Sequence, residues 1–305
     1  MRLTVIVNPA ATSVGDQFRS SVVDALAGDH DVTVAETAAR GDATALAARA
    51  AADGAEVVVS LGGDGTANET ANGLAGSTTA LAALPGGSTN VFPRTIGFPN
   101  DPAKATECLR AALIAGSRRR VGLGSAGGRR FLFHVGVGFD ARVIELVDRH
   151  GWAKHTVGPL AFAGAGLAIW LARRDHPVFT VDTGSETIDG RFAIVLKTDP
   201  YTFLGPRPLT MAPEAGLGRP LAVVVLRDLG AATLLGSLCS ALQDGRRLRE
   251  LPGVALRTGL ERVVVTAAHP VGHQADGEFL GETADLLVVH EPDCLDLVVP
   301  VGSHQ

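Results

Sequence analysis

Residues 57–69 read Val-Val-Val-Ser-Leu-Gly-Gly-Asp-Gly-Thr-Ala-Asn-Glu. An apolar, β-branched run stops at two glycines, and a helix-compatible segment follows directly. Glycines let a backbone approach a ligand closely, and the amides at a helix N-terminus attract an anion such as phosphate. Asp64 adds a carboxylate where the phosphates would lie, as a magnesium-dependent phosphoryl transfer needs. The competing interpretation is a tight strand-to-helix turn that binds nothing, and the polar set Asp64, Thr66, Asn68 and Glu69 weighs against it. A second glycine loop, Pro85-Gly86-Gly87-Ser88-Thr89-Asn90, closes the next apolar run. Far downstream stand Asp276-Gly277-Glu278. Asp276 is either a proton acceptor for an attacking hydroxyl or the corner of an Asp-Gly hairpin, and the two roles are compatible. His269 and His273 have a metal-like spacing for a helix, but Pro270 and Gly272 between them predict loop structure instead.

The elements that must carry these loops alternate in the first part of the chain. Strands are expected at 3–7, 31–35, 57–61 and 79–84, and helices at 17–26, 42–52, 67–74 and 102–115. Asp42 and Asp101 are placed to cap the second and fourth of these helices. Such alternation predicts a largely parallel sheet, with ligands beyond the carboxyl ends of its strands. From about Arg118 strand signals dominate, at 130–135, 178–181, 192–197, 221–226, 254–257, 262–267, 286–290 and 295–299. Helix-like segments are expected at 141–149, 160–173 and 231–242.

Hydrophobic residues make up 46% and charged residues 19%, which argues for a globular chain with a sizeable core. The net charge of −5 disfavours nucleic acid as a partner. Met1-Arg2 leads straight into a strand signal, so no secretion leader is expected, and no apolar run reaches the ~18 residues of a membrane span. The three cysteines lack metal spacing and suit a reducing cytoplasm.

With all loops in view, the chain resembles the diacylglycerol kinase catalytic family, which includes bacterial diacylglycerol kinases, related lipid kinases and sphingosine kinases. Asn8-Pro9 follows the first strand, and Thr37 precedes Gly41-Asp42-Ala43. Gly62 to Glu69 and Pro85 to Asn90 match the two nucleotide loops. Gly136-Val137-Gly138-Phe139-Asp140-Ala141, Ala212-Pro213 and Gln274-Ala275-Asp276-Gly277-Glu278 complete the set. None is specific alone; their order and spacing are. The resemblance implies an α/β nucleotide-binding domain with a mostly parallel sheet (1–120), a β-rich, sandwich-like lipid-substrate domain (121–290), and a C-terminal segment (291–305) returning to the first. It implies ATP between the domains, contacted by Asn8, Pro9, Thr12, Thr37, Gly62, Gly63, Asp64, Gly65, Thr66, Asn68, Glu69, Gly87, Ser88 and Asn90. Mg2+ would be held by Asp64 and Asp140, the latter alternatively a helix cap, and Asp276 with Glu278 would form the catalytic base region. The implied reaction transfers the γ-phosphoryl group of ATP to a lipid hydroxyl, making phosphatidic acid from diacylglycerol, by a cytoplasmic protein working at the membrane surface. A sphingoid base or NAD is the alternative acceptor, since NAD kinase shares Gly-Gly-Asp-Gly-Thr. A lipid- or nucleotide-binding protein without catalysis is the other alternative. The sequence leaves oligomeric state open, a homodimer included.

Three departures matter. The family's Asn-Asp-Phe reads Asn90-Val91-Phe92, removing one carboxylate of the magnesium-water network. The segment Gly216 to Ala222, where bacterial members hold a structural magnesium, has no acidic residue, so that site is expected to be missing. The first loop has no lysine. Two arginine clusters, 118–120 with 129–130 and 246–249, are either contacts for anionic headgroups, worth roughly 1 kcal/mol per residue, or solvated charge at element ends. The apolar stretch 160–171, with Phe162 and Trp170, is either an acyl-chain pocket or a core helix.

Overall fold

The computed structural model describes residues 1–11, 15–138, 141 and 178–302. The chain divides into two compact units, Met1–Leu123 with Pro292–Gln305, and Gly124–Glu291.

The first unit runs β1 (Arg2–Val7), α1 (Asp16–Ala27), β2 (Asp31–Glu36), α2 (Asp42–Ala52), β3 (Val57–Gly62), α3 (Asp64–Leu74), β4 (Ala80–Pro85), α4 (Val91–Thr95) and α5 (Pro102–Ile114). Its sheet has the order β4-β3-β1-β2, every pair parallel. The apolar runs of β3 and β4 are buried along their whole length, as expected of central parallel strands covered on both faces. β2, at the edge, is mostly exposed. α1 packs with α5, and α2 with α3. The returning C-terminal residues Asp296 and Leu297 pair in parallel with Ala80 and Leu81 of β4. Arg120 fixes this return: its guanidinium donates to Asp296 (3.0 Å) and to the carbonyls of Ser77 (3.0 Å) and Asp293 (2.7 Å).

Asp101 caps α5, accepting the Lys104 amide at 2.9 Å, with Pro102 at the first helical position. Asp42 does not cap α2. The cap position is Gly41 at φ +90, and the Asp42 carboxylate turns back to the amides of Ala38 (2.8 Å) and Ala39 (2.7 Å), tightening the preceding loop. α3 starts at Asp64, three residues before its predicted start, with Gly63 at the cap position. α4 escaped notice because five residues are too few to show a period.

The second unit is antiparallel. It holds the end of β5 (Arg118–Ala126), then β6 (Arg129–Phe131), β7 (His134–Gly138), β8 (Phe179–Asp182), β9 (Thr187–Gly190), β10 (Phe192–Leu196), β11 (Thr202–Leu204), β12 (Arg207–Leu209), β13 (Leu221–Leu226), α6 (Ala231–Gln243), β14 (Val254–Leu260), β15 (Arg262–Ala275) and most of β16 (Glu278–Val298). Its main order is β14-β13-β10-β7-β15-β16, with β8 bridging β15 and β9. Alternation sorts β13 between two cores. Leu221, Val223 and Val225 join Phe131, Val135, Phe179, Val263 and Val288, while Ala222, Val224 and Leu226 join Met211, Leu229 and Leu248.

Two predicted strand runs proved different. The strand expected at 130–135 is broken into β6 and β7, for a reason given below. The separate runs 286–290 and 295–299 are parts of β16, because short stretches of Glu, Asp and Pro interrupt apolarity without interrupting the ladder. β15 likewise extends past Ala267 across a register shift between Thr266 and Val271, where Pro270 needs no ladder bond. His269 and His273 therefore lie on a strand, not in a loop. The predicted segments at 142–149 and 160–173 fall outside the described residues.

Candidate functional site

In the first unit the candidate residues collect at the carboxyl ends of four parallel strands. Asn8 follows β1, Thr37 follows β2, Gly62 and Gly63 end β3, and Gly87 to Asn90 follow β4. The two glycine loops touch through their backbones. The Gly86 amide donates to the Gly62 carbonyl at 2.9 Å, and a Cβ placed on Gly87 would lie 2.8 Å from the Gly63 Cα. Only glycine permits that approach. Asn8 joins the first loop to α3, donating from Nδ2 to Thr66 Oγ1 (3.2 Å) while its Oδ1 accepts the Ala10 amide (3.0 Å). Pro9, Gly65 and Ser88 are exposed.

Asp64 is the tie between the loops. Its Oδ2 accepts the Val91 amide at 2.9 Å and its Oδ1 the Phe92 amide at 2.8 Å, so the first residue of α3 serves the N-terminus of α4. Burial pushes its carboxyl up, opposed by the Phe92 and Val91 amides and by the Arg94 guanidinium. Val91, which replaces a family carboxylate, is buried and contributes its amide to Asp64. Asn90 sits at φ +52, and its side chain brackets Gly87: Oδ1 accepts the Gly87 amide (2.7 Å) and Nδ2 donates to the Gly87 carbonyl (3.0 Å). Asn90 thus shapes the second loop. Asn68 is buried and accepts from Asn72 at 3.2 Å. Glu69 turns toward α2, accepting the Ala43 amide at 3.3 Å. Thr12 and Asp140 lie outside the described residues.

In the second unit, Asp276 and Gly277 are the two loop residues of the β15–β16 hairpin, at φ +48 and +80, as a type I′ turn requires. The Asp276 carboxylate is engaged by a row of amides: Leu132 on Oδ2 at 2.6 Å, and Phe133 and His134 on Oδ1 at 2.9 and 3.1 Å. Its own amide donates to the His134 carbonyl at 2.9 Å. That nest of successive amides is why the predicted 130–135 strand breaks, since amides aimed at a carboxylate cannot serve a ladder. No local sequence signal at 132–134 announces it. Glu278 pairs with Arg129 at 2.5 Å.

His134, beside this turn, stacks on Tyr201 at 4.4 Å, and burial holds its imidazole down to about 3 from 6.5. The unfolded chain therefore binds a proton below 6.5 that the folded chain refuses until about 3, so stability present above 6.5 is lost as pH falls through that window. The raised carboxyls of Asp64 and Asp199 act in the opposite sense. His134→Gln removes only the histidine contribution, so its melting temperature should fall less than the wild type's on acidification from 6.5 towards 3. Parallel melting curves across that window would refute the assignment.

The acid-free segment Gly216 to Ala222 is organised by a lysine. Lys197 is fully buried, and its ammonium donates to the carbonyls of Gly216 and Arg219. Asp199 supports the same region, with Oδ1 accepting the Met211 (2.7 Å) and Ala212 (2.9 Å) amides. Three arginines of the first cluster are committed to ion pairs: Arg120 with Asp296, Arg129 with Glu278 and Arg130 with Glu291.

The molecule is thus a two-unit protein, a parallel α/β unit with glycine loops at its strand ends and an antiparallel unit carrying a carboxylate turn. Residues 2–126 match the family model of the diacylglycerol kinase catalytic domain. The chain is 29% identical over 291 residues to a diacylglycerol kinase of Bacillus subtilis strain 168, covering 92% of this chain and 90% of that one. It is 32% identical over 314 residues to the "Probable lipid kinase YegS-like" of Pseudomonas syringae pv. tomato, covering 99% and 95%. A diacylglycerol kinase structure from Bacillus anthracis superposes with a TM-score of 0.74 at 18% identity, over 98% of this chain and 97% of that one. The chain belongs to the diacylglycerol kinase catalytic family, phosphotransferases with an alcohol acceptor that use ATP as co-substrate. An NAD kinase from Archaeoglobus fulgidus, solved with ATP, shares the fold at a TM-score of 0.54 and 11% identity, over 99% of this chain and 94% of that one.

Proposed function

We propose that this protein transfers the γ-phosphoryl group of ATP to the free hydroxyl of diacylglycerol, giving phosphatidic acid and ADP. The observation that carries the nucleotide part is the close backbone approach of the two glycine loops, which a Cβ on Gly87 would break by meeting the Gly63 Cα at 2.8 Å. The triphosphate would rest against the amides of Gly63 to Thr66 and of Ser88, with Asn8, Pro9 and Thr37 at the margins. Magnesium bound with the nucleotide supplies charge neutralisation at the transferring phosphoryl group. Both Asp64 oxygens already accept amides, so Asp64 suits a metal held through water better than a direct ligand, with Asp140 as the second carboxylate. Asp276 takes the proton of the attacking hydroxyl, and the amide nest with the Glu278–Arg129 pair fixes its position. The names of the relatives support diacylglycerol as acceptor. The shared fold of NAD kinase motivates NAD as the competing one.

Labelled ATP offered with diacylglycerol, a sphingoid base and NAD in parallel tests the acceptor. Label is expected in phosphatidic acid; label in NADP instead would replace the lipid by the dinucleotide. ATP binding without transfer to any acceptor would favour a protein that has lost catalysis along with the carboxylate at Val91.

A further inference from the structure

Helix α6 turns Leu234 and small residues inward and a row of leucines outward. Its inward side carries Ser237, Ser240 and Ala241, exposed by only 6%, 4% and 4%, whereas Leu235, Leu238 and Leu242 are 61%, 45% and 39% exposed. Those leucines stand at i, i+3 and i+7, one continuous stripe along the helix. Among the described residues the hydroxyls of Ser237 and Ser240 are buried without a hydrogen-bond partner. A helix that met only water on its outer side would gain by the opposite arrangement, since burying unpaired hydroxyls and exposing leucines both cost stability.

The stripe ends at a short 3-10 turn, Arg246–Glu250, with three arginines. The Arg246 side chain is 80% exposed and pairs with Asp244 at 3.7 Å, Arg249 pairs with Glu214 at 2.7 Å, Glu250 is exposed in the same turn, and Arg247 makes no ion pair among the described residues. A leucine stripe with cations at one end complements an apolar surface edged with anionic headgroups. A second copy of the chain fits less well, because three partly exposed leucines offer a few hundred Å², short of the about 800 Å² per partner of a stable interface.

We propose that α6 is the membrane-docking element. Leu235, Leu238 and Leu242 enter the headgroup boundary of an anionic bilayer, and Arg247, with the largely exposed Arg246, lies against the phosphates. The proposal rests on the lipid-kinase function above and adds to it the surface through which the enzyme reaches its acceptor.

The test is cosedimentation of the nucleotide-free full chain with vesicles of phosphatidylcholine, with and without phosphatidylglycerol. Wild type should bind the anionic vesicles, and Leu235→Gln with Leu238→Gln and Leu242→Gln should bind at least about tenfold more weakly at an unchanged melting temperature. Should the triple variant melt early, Leu238→Gln alone serves the same comparison. Arg246→Gln with Arg247→Gln should lose the preference for anionic vesicles. The leucine variants should still phosphorylate a short-chain diacylglycerol presented as monomers while slowing on vesicles. Equal vesicle binding by wild type and leucine variants overturns the proposal. So does a wild-type dimer that these substitutions dissociate while vesicle binding persists, which would assign the stripe to a second copy. Slow maleimide labelling of the exposed Cys239 in free protein would overturn it too, by placing another part of the chain over the helix. Leucine-dependent vesicle binding with no lipid phosphorylated leaves the docking surface standing and refutes the function instead.

Discussion

Asp276→Asn is expected to reduce lipid phosphorylation by at least about 100-fold, the lower end of what a positioned general base contributes. Asparagine tolerates positive φ, so the hairpin corner at φ +48 is retained. The carboxylate, however, accepts amides at both oxygens, from Leu132, Phe133 and His134. An asparagine nitrogen would face a donor with a donor and leave at least one amide of this buried segment unpaired, costing about 1–3 kcal/mol. The variant should therefore lose turnover and also melt earlier. ATP affinity should be unchanged, because the glycine loops belong to the other unit. Intact turnover would remove Asp276 from the reaction, and intact stability would remove it from the anchor.

Asp64→Ala should have the second largest effect. It strips the acceptor from the Val91 and Phe92 amides at the start of α4, both in buried residues, and leaves the Arg94 guanidinium without its carboxylate neighbour. A lost helix cap and an unpaired buried amide together amount to roughly 2–4 kcal/mol. ATP affinity should fall with it, because the second glycine loop is no longer held against the first. Asp64→Asn, which keeps one acceptor, should fall between the alanine variant and the wild type. Thermal melts and ATP titrations of the three proteins decide the matter; an alanine variant with wild-type melting and affinity would mean that the loops hold themselves.

The parallel strands were legible because β1, β3 and β4 are mainly apolar, β-branched or alanine-leucine runs that stop at asparagine, glycine or proline, a signal set by burial on both faces. Asp101 was legible as a cap because its effect is local. Asp42 misled, since a carboxylate at the first position of a helix can equally serve the loop behind it. The breaks and continuities of the second unit were hidden for a different reason. β6 and β7 part because of a carboxylate more than a hundred positions away in sequence, and β16 persists through polar residues because its ladder, not its side chains, defines it. The site divides the same way. Glycine loops declare themselves by residue type, whereas the tie from Asp64 to Val91 and Phe92, and the ammonium of Lys197 holding the Gly216 and Arg219 carbonyls, are contacts that no spacing rule encodes.

The most direct test compares ATP labelled on the γ-phosphate with ATP labelled on the α-phosphate, each incubated with magnesium and diacylglycerol vesicles. Label is predicted in the lipid from the γ position only, in amounts matching the ADP formed, and at least about 100-fold lower with Asp276→Asn. ADP formed without labelled lipid, or no turnover by a wild-type protein that binds ATP, would contradict a phosphoryl transfer from the glycine loops to a lipid hydroxyl.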